Sequence, residues 1–163
     1  MGRGRFIVTF MPAVRIGGAV ALRPFRPSDV DAVASIVGDS LRENYPASIY
    51  LDIHRWWREG FLLAEENGVS IGFVAGVVNG PKNARILMLA VLANRRRRGI
   101  GTSLMDAFLR ECAMRGLSTV ELEVRISNKE AIRFYQRYGF QITQVLKRFY
   151  TDGEDGYKMM RHL

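Results

Sequence analysis

The positions of apolar residues divide the chain into alternating strand-like and helix-like segments. Apolar residues recur at helical spacing in four segments, and the short apolar runs between them are typical of strands. The dipeptide Asn67-Gly68 between two such runs predicts a β-hairpin. The predicted strands cover residues 19–23, 61–66, 69–78, 85–92, 119–124, 141–149 and 156–160. The first predicted helix starts near Ser28. The other three predicted helices cover residues 49–59, 99–115 and 129–138.

This order, β-α-α-β-β-β-α-β-α-β-β, predicts a mixed α/β domain with a central sheet and helices on both faces. The first helix is expected to open at a capping box formed by Ser28 and Asp31, and Asn128 is expected to cap the last helix. No repeat or linker interrupts the chain, so residues 19–163 are predicted to form one domain. Residues 1–18 are predicted to be an extension, either disordered or a loosely attached strand. They do not fit an export signal, because Pro12 interrupts their short apolar patch.

The composition is that of a soluble globular protein, with 48% hydrophobic and 25% charged residues in a chain of 163. No apolar run reaches the roughly 18–20 residues that a membrane-spanning helix needs, so the chain is not expected to insert into a membrane. The single cysteine, Cys112, excludes an internal disulfide and agrees with a cytoplasmic location. The net charge of +8 indicates an anionic partner, for which nucleic acid, an acidic membrane surface and a phosphate-bearing cofactor are the candidates.

A basic, glycine-containing segment from Arg96 to Thr102 lies between a predicted strand and an amphipathic helix. Glycines without Cβ atoms let a ligand approach the main chain, and the first N–H groups of a helix have no partner within it. Together with the helix dipole and the arginines, these groups form a cradle suited to a pyrophosphate. Basic runs are more often solvated loops or nucleic-acid patches, so this segment by itself leaves both interpretations open.

A dinucleotide-binding interpretation of the same glycines is rejected. Gly99 and Gly101 begin a G-x-G-x-x-G pattern, and Glu121 lies about 20 residues beyond, where a ribose-binding acid is expected. However, Leu104 stands in place of the third glycine. The pattern also falls too late in the chain for a doubly wound sheet to follow.

Several motifs, in a consistent order along the chain, carry a family resemblance. They are Glu43-Asn-Tyr-Pro46, the pattern Arg96-x-x-Gly99-x-Gly101 after the strand 87–91, the segment 122–140 and the ending 146–159. Together they resemble the GNAT superfamily, and within it the RimI-type N-terminal acetyltransferases and their archaeal relatives. The resemblance extends from about residue 20 to the C-terminus. It implies a GNAT fold with a mixed, mostly antiparallel sheet, and acetyl transfer from acetyl-CoA to the α-amine of a protein N-terminus or nascent chain.

The resemblance also implies which residues bind acetyl-CoA. Main-chain groups of Leu89 and Val91 would meet the pantetheine arm, on a strand that splays from its neighbour. Asn128 would contact the same arm, although a plain helix cap explains this residue equally well. Tyr135 would lie at the sulfur end. The residues that would hold the pyrophosphate are Arg96, Arg97, Arg98, Gly99, Ile100, Gly101 and Thr102.

Acetyl transfer requires a base for the amine, a donor for the oxyanion and an acid for the thiolate. Glu123 is the candidate base, directly or through a water, and the alternative is an acid paired with Arg125 on a solvated face. Tyr135 is the candidate acid, with a core tyrosine as the alternative. The main-chain N–H of Val91 is the candidate oxyanion donor. The amine would attack directly in a ternary complex, and Cys112 is not a candidate nucleophile.

The peptide site is expected to include Glu43, Tyr45 and Tyr150, from loops that flank the incoming N-terminus in related enzymes. Ordinary surface loops are the alternative. Some relatives carry a histidine near Arg85, and this chain has none there, so deprotonation is assigned to Glu123 alone. The two histidines of the chain lie outside the motifs, and no metal is expected.

Two further interpretations stay open. The acceptor could be a lysine or a small amine, because the motifs between Arg85 and Gly101 do not distinguish acceptors. A non-enzymatic alternative is a basic nucleic-acid- or ribosome-binding protein, which predicts salt-sensitive binding without acetyl-CoA. Ribosome contact is also compatible with catalysis on nascent chains, and the chain is expected to be a monomer or a weak dimer.

Overall fold

The computed structural model describes residues 14–15 and 19–163, and their strands form one sheet in the order β1-β2-β3-β4-β5-β6-β8-β7. Every neighbouring pair is antiparallel except β5 and β6, which are parallel. The strands are β1 (Val14–Arg15), β2 (Val20–Pro24), β3 (Phe61–Glu66), β4 (Val69–Val78), β5 (Asn83–Val91), β6 (Thr119–Arg125), β7 (Gln141–Leu146) and β8 (Gly156–His162). The expected mixed, mostly antiparallel sheet is confirmed.

The described helices alternate with these strands in the expected order. They are α1 (Val30–Ser40), α2 (Ala47–Trp56), α3 (Ile100–Met114) and α4 (Lys129–Arg137), with 3-10 turns at Pro27–Asp29, Arg58–Gly60 and Ala93–Arg95. Of the proposed extension 1–18, only the strand β1 belongs to the described residues, and it pairs with β2. The rest of that prediction lies outside them.

Two apolar clusters lie on opposite faces of the sheet, which confirms that helices cover both faces. The cluster under α1 and α2 contains Val33, Tyr50 and Phe73. The cluster under α3 and α4 contains Leu104 and Phe108. Burial of these apolar faces stabilises the three layers, at roughly 25 cal/mol for each Å² of apolar surface removed from water.

Two local predictions had different outcomes. Asn67 and Gly68 both have a positive φ, 50° and 79°, as a type I′ hairpin turn requires, so the predicted hairpin is confirmed. The predicted capping box of Ser28 is wrong. Asp29 is the residue that closes this turn, because its carboxylate accepts a hydrogen bond from the Arg26 N–H at 2.7 Å and is held by the guanidinium of Arg23 at 2.8 Å.

The parallel strands β5 and β6 pair over only part of their length. Their pairing ends at Ile86 and Leu122, and β5 then diverges from β6, as the resemblance implied. At this point the register of β5 against β4 shifts, so Leu87 and Met88 pack toward the same cluster. The divergence opens a gap in the sheet between its two helical layers.

Candidate active site

A cavity of about 520 Å³ lies where the end of β5 meets the start of α3. Gly99, with a φ of 75°, precedes the helix in a left-handed conformation that favours glycine. The first bond within the helix runs from the Ser103 N–H to the Gly99 carbonyl at 3.0 Å. The amides of Ile100, Gly101 and Thr102 are therefore free to bind a ligand in this cavity.

The four consecutive arginines beside this helix start have different environments. Arg95 and Arg98 lie 2.9 Å and 3.7 Å from the carboxylate of Glu66 at the end of β3. Arg96 donates from Nε to a main-chain carbonyl of β5, and Arg97 adopts a positive φ of 63°. Arg95, Arg96 and Arg97 line the cavity, whereas Arg98 does not. The sequence did not single out Arg95, and the expected contribution of Arg98 to this cavity is not seen, because its guanidinium lies near Glu66 outside the cavity lining.

The remaining residues expected to bind acetyl-CoA line this cavity as well. Directly after β5, the Leu92 N–H donates to the Ile71 carbonyl in β4, so the preceding residue, Val91, directs its main-chain groups away from β4 and toward the gap. The Val91 carbonyl accepts hydrogen bonds there from Ser40 Oγ and Arg96 Nε, both at 3.1 Å. Ser40, at the end of α1, had no signal in the sequence. The expected lining residues found here are Leu89, Val91, Arg96, Arg97, Gly99, Ile100, Gly101, Thr102, Asn128 and Tyr135.

A second cavity of about 450 Å³ adjoins the first on the side of the loop between α1 and α2. It brings together Glu43, Tyr45, Glu123 and Tyr150, which come from distant parts of the sequence. The residues shared by both cavities are Ser40, Leu41, Leu89, Asn128, Ala131 and Tyr135. The two cavities therefore meet at the gap between β5 and β6.

Tyr135 lies on α4 at this junction. Its side chain is 8% exposed and packs against the rings of Phe134 and Phe140. Burial raises the pKa of the phenol well above its ordinary value, and Tyr150 adds to the shift, so the hydroxyl stays protonated at neutral pH. Asn128 begins the same helix, and its Oδ1 accepts from the Ala131 N–H at 3.1 Å, which confirms the predicted cap.

Glu123 lies in the second cavity, at the point where β6 leaves β5. Its Oε2 accepts a hydrogen bond from Arg85 Nε at 3.0 Å, and its side chain is 13% exposed. It makes no ion pair with Arg125, which was the alternative interpretation. The helix α1 contacts β4 and β5 and the helix α2 contacts β4, whereas the sheet face at Glu123 opens to the cavity.

Arg125 connects the two loops that border the second cavity. It lies 3.3 Å from Glu43 in the loop after α1, and 2.8 Å and 2.9 Å from Asp152 and Glu154 in the turn between β7 and β8. Its guanidinium also stacks 4.1 Å from the centre of the Tyr150 ring. Burial raises the pKa of Tyr150 to about 12 although Arg125 opposes the shift. No pattern in the sequence indicated these contacts of Arg125.

Two other groups, Glu121 and Cys112, line neither cavity. Glu121, considered above as a ribose ligand, accepts from Asn79 at 2.8 Å and pairs with Lys158, outside both cavities. Cys112 is buried, and burial raises the pKa of its thiol to about 12. Residues 14–15 and 19–163 contain no cluster of three metal-ligating side chains. None of their helices has the length and apolar character to span a membrane.

Known proteins resemble this chain in sequence and in fold. Residues 30–140 match the Acetyltransferase (GNAT) family. An N-alpha-acetyltransferase of Sulfurisphaera tokodaii is 33% identical over 157 residues, covering 88% of this chain and 93% of the relative. The crystal structure of Ard1 from Thermoplasma volcanium superimposes with a TM-score of 0.87 at 42% identity, over 90% of this chain and 99% of that one.

A further solved structure, Arabidopsis thaliana Naa50 in complex with the bisubstrate analogue CoA-Ac-MVNAL, has a TM-score of 0.82 at 25% identity. It covers 90% of this chain and 100% of its own. The chain belongs to the GNAT family of acetyltransferases.

Proposed function

We propose that this chain transfers the acetyl group of acetyl-CoA to the α-amine of a protein N-terminus, by direct attack in a ternary complex. The observation that carries the proposal is the meeting of two cavities at Tyr135, Leu89 and Asn128. One cavity offers main-chain N–H groups and arginines for acetyl-CoA, and the other offers aromatic walls for a peptide. The N-alpha-acetyltransferase relatives support this choice of acceptor.

The first cavity fits coenzyme A in charge and in shape. Free amides at the start of α3 and the side chains of Arg96 and Arg97 supply donors for a pyrophosphate. A Cβ atom added to Gly101 would lie 3.8 Å from the ring of Phe134, so it would take up part of this space. We assign the pantetheine arm to the main-chain groups of Leu89 and Val91.

The residues at the junction divide the proton transfers between them. Acetyl-CoA supplies an acetyl group already activated as a thioester. Glu123 accepts the proton of the amine, directly or through a water, and the Val91 N–H stabilises the negative charge on the acetyl oxygen. Tyr135, which burial keeps protonated, donates its proton to the departing sulfur. Acid–base help of this kind typically increases a rate about 10²- to 10⁴-fold.

The second cavity is assigned to the first residues of the peptide. Tyr45 and Tyr150 provide aromatic walls, and Glu43 supplies a carboxylate near a leading amine that is cationic before deprotonation. Arg125 holds Glu43 and the turn after Tyr150 in place beside this cavity.

A peptide-library assay with labelled acetyl-CoA tests the proposal. Peptides with a free N-terminus and no lysine are compared with peptides that have a blocked N-terminus and internal lysines. We expect label in the first set only. Label confined to the second set would replace the proposal with a lysine acetyltransferase, and label in neither set but in small amines assayed in parallel would indicate a metabolite as acceptor.

We infer further that the physiological acceptors are nascent chains in the cytoplasm, and that the basic surface permits contact with ribosomes. The net charge of +8 supports such contact. Sedimentation with ribosomes at increasing salt measures it directly, and binding that is lost steeply with salt is expected. A monomer or weak dimer remains our prediction for the free protein.

A further inference from the structure

An ion pair crosses from β5 to β6 at the point where these strands separate. Arg85 Nε lies 3.0 Å from Glu123 Oε2. Arg85 belongs to the paired part of β5, whereas Glu123 is the first residue of β6 beyond the last pair, Ile86 with Leu122. The bond therefore joins the part of β5 that pairs with β6 to the first residue of β6 that no longer pairs with β5.

The two sides of the Glu123 carboxylate have different surroundings. Glu123 lines the second cavity, the peptide cavity, and Arg85 does not. Arg85 thus contacts Oε2 from outside this cavity, and Oε1 has no hydrogen-bond partner within residues 19–163. A glutamate side chain has three rotatable bonds, and a single well-placed donor removes much of that freedom.

We propose that Arg85 is a positioning residue for acetyl transfer, which fixes the Glu123 carboxylate so that its second oxygen meets the incoming amine. This inference rests on the proposed function, because it assumes that Glu123 is the base. Arg85 does not contact the reacting atoms and acts through Glu123 alone.

The other cations on this face of the sheet are bonded elsewhere. Lys158 is the strand partner of Glu123, but its ammonium lies 3.3 Å from Glu121. Arg125 is engaged by three carboxylates of the bordering loops. Among the residues that the structure describes, the bond to Glu123 is therefore specific to Arg85 and is not a general effect of positive charge.

A double-mutant cycle tests whether Arg85 acts through Glu123. The variants are Arg85→Met, Glu123→Gln and their combination, and Lys158→Met is the matched control, which removes a neighbouring cation. We expect Arg85→Met to lower kcat about tenfold in the native background, because misplaced catalytic groups lose at least that much. In the Glu123→Gln background the same substitution should change kcat less than about twofold. The KM for acetyl-CoA should stay the same throughout.

Three results would overturn the inference: an unchanged kcat for Arg85→Met, an equal loss in the Glu123→Gln background, or an equal loss for Lys158→Met. Thermal melting checks folding, and Arg85→Gln takes the place of the methionine variant under the same criteria if that variant does not fold. Failure of the proposed function would be seen differently. In that case the unmodified protein would leave free N-termini unlabelled.

Discussion

The two cavities differ in how the chain builds them. The acetyl-CoA cavity depends on one continuous segment, 96–102, whose main-chain amides are oriented by the start of α3. The peptide cavity is assembled from distant segments whose side chains are held by ion pairs, with Arg125 joining Glu43 to Asp152 and Glu154. The first arrangement depends on backbone conformation, and the second depends on particular charges.

This difference teaches that donor and acceptor recognition can change independently. At the start of α3, a side chain can be replaced while the main-chain amides of the helix stay in place, provided that the glycines remain. Replacement of one charge at the peptide cavity releases several partners at once. Substitutions should therefore affect either the affinity for acetyl-CoA or the KM for the peptide, and rarely both.

The largest effect is expected from Gly101→Glu, which places a carboxylate and extra atoms in the pyrophosphate cradle. We expect the affinity for acetyl-CoA, measured by calorimetry, to fall more than about 100-fold, because like charges repel at short range. Gly38→Glu, on the exposed side of α1, is the control and should bind normally. Undiminished binding by the Gly101 variant would contradict the cradle.

Tyr135→Phe removes the phenol at the junction of the two cavities. We expect kcat to fall about 100-fold, within the range for loss of an acid, with acetyl-CoA affinity nearly intact. Tyr138→Phe is the control, because Tyr138 lines neither cavity and its hydroxyl bonds the Thr102 carbonyl and Asp106. An unchanged kcat for Tyr135→Phe would remove the acid function.

The same tyrosine predicts the pH dependence of the native enzyme. Burial raises the pKa of Tyr135, so the protonated acid persists at pH values where an ordinary tyrosine ionises, near 10. We expect the kcat of the unmodified enzyme to show no loss between neutral pH and about pH 10 and to decline only above it. A decline that begins near pH 8 would show that another group supplies the proton.

Arg125→Met tests the peptide cavity separately. Because it frees Glu43 and the turn after Tyr150, we expect the KM for the peptide to rise about tenfold, a loss typical of a partly buried charged pair. The KM for acetyl-CoA should not change. Arg55→Met, which removes an exposed pair with Asp52 on α2, is the control. A rise in the KM for acetyl-CoA would show that the two cavities are coupled.

The smallest effect separates adjacent arginines. Arg97 lines the acetyl-CoA cavity, whereas Arg98 lies near Glu66. We expect Arg97→Ala to weaken acetyl-CoA binding about fivefold, as loss of one exposed charged contact does, and Arg98→Ala to weaken it less than about twofold. Equal losses at both positions, measured by calorimetry, would mean that the whole basic run contributes only a diffuse field.

The order of elements could be predicted because its signals are local. Apolar periodicity, the Asn67-Gly68 turn and the Asn128 cap each depend on a few neighbouring residues. The pyrophosphate cradle could be predicted for the same reason, because it lies within the single segment 96–102. The error at Ser28 arose because Asp29 is held by Arg23, a side chain from the preceding strand, which no capping pattern reveals.

The side-chain pairs of the peptide cavity could not be predicted from the sequence. Whether Glu123 meets Arg85 or Arg125 depends on the pairing of β5 with β6, which places Arg85 next to the separating strands. Likewise, Glu43 precedes Arg125 by 82 residues, and only the folded sheet brings them together. Long-range register decides these contacts.

A crystal structure with a conjugate of coenzyme A and an N-terminal peptide tests the central claim most directly. We expect the diphosphate within about 2.7–3.2 Å of the amides of Ile100, Gly101 and Thr102, and the first peptide residue between Tyr45 and Tyr150. A diphosphate bound elsewhere, with the start of α3 filled by the protein's own side chains, would contradict it.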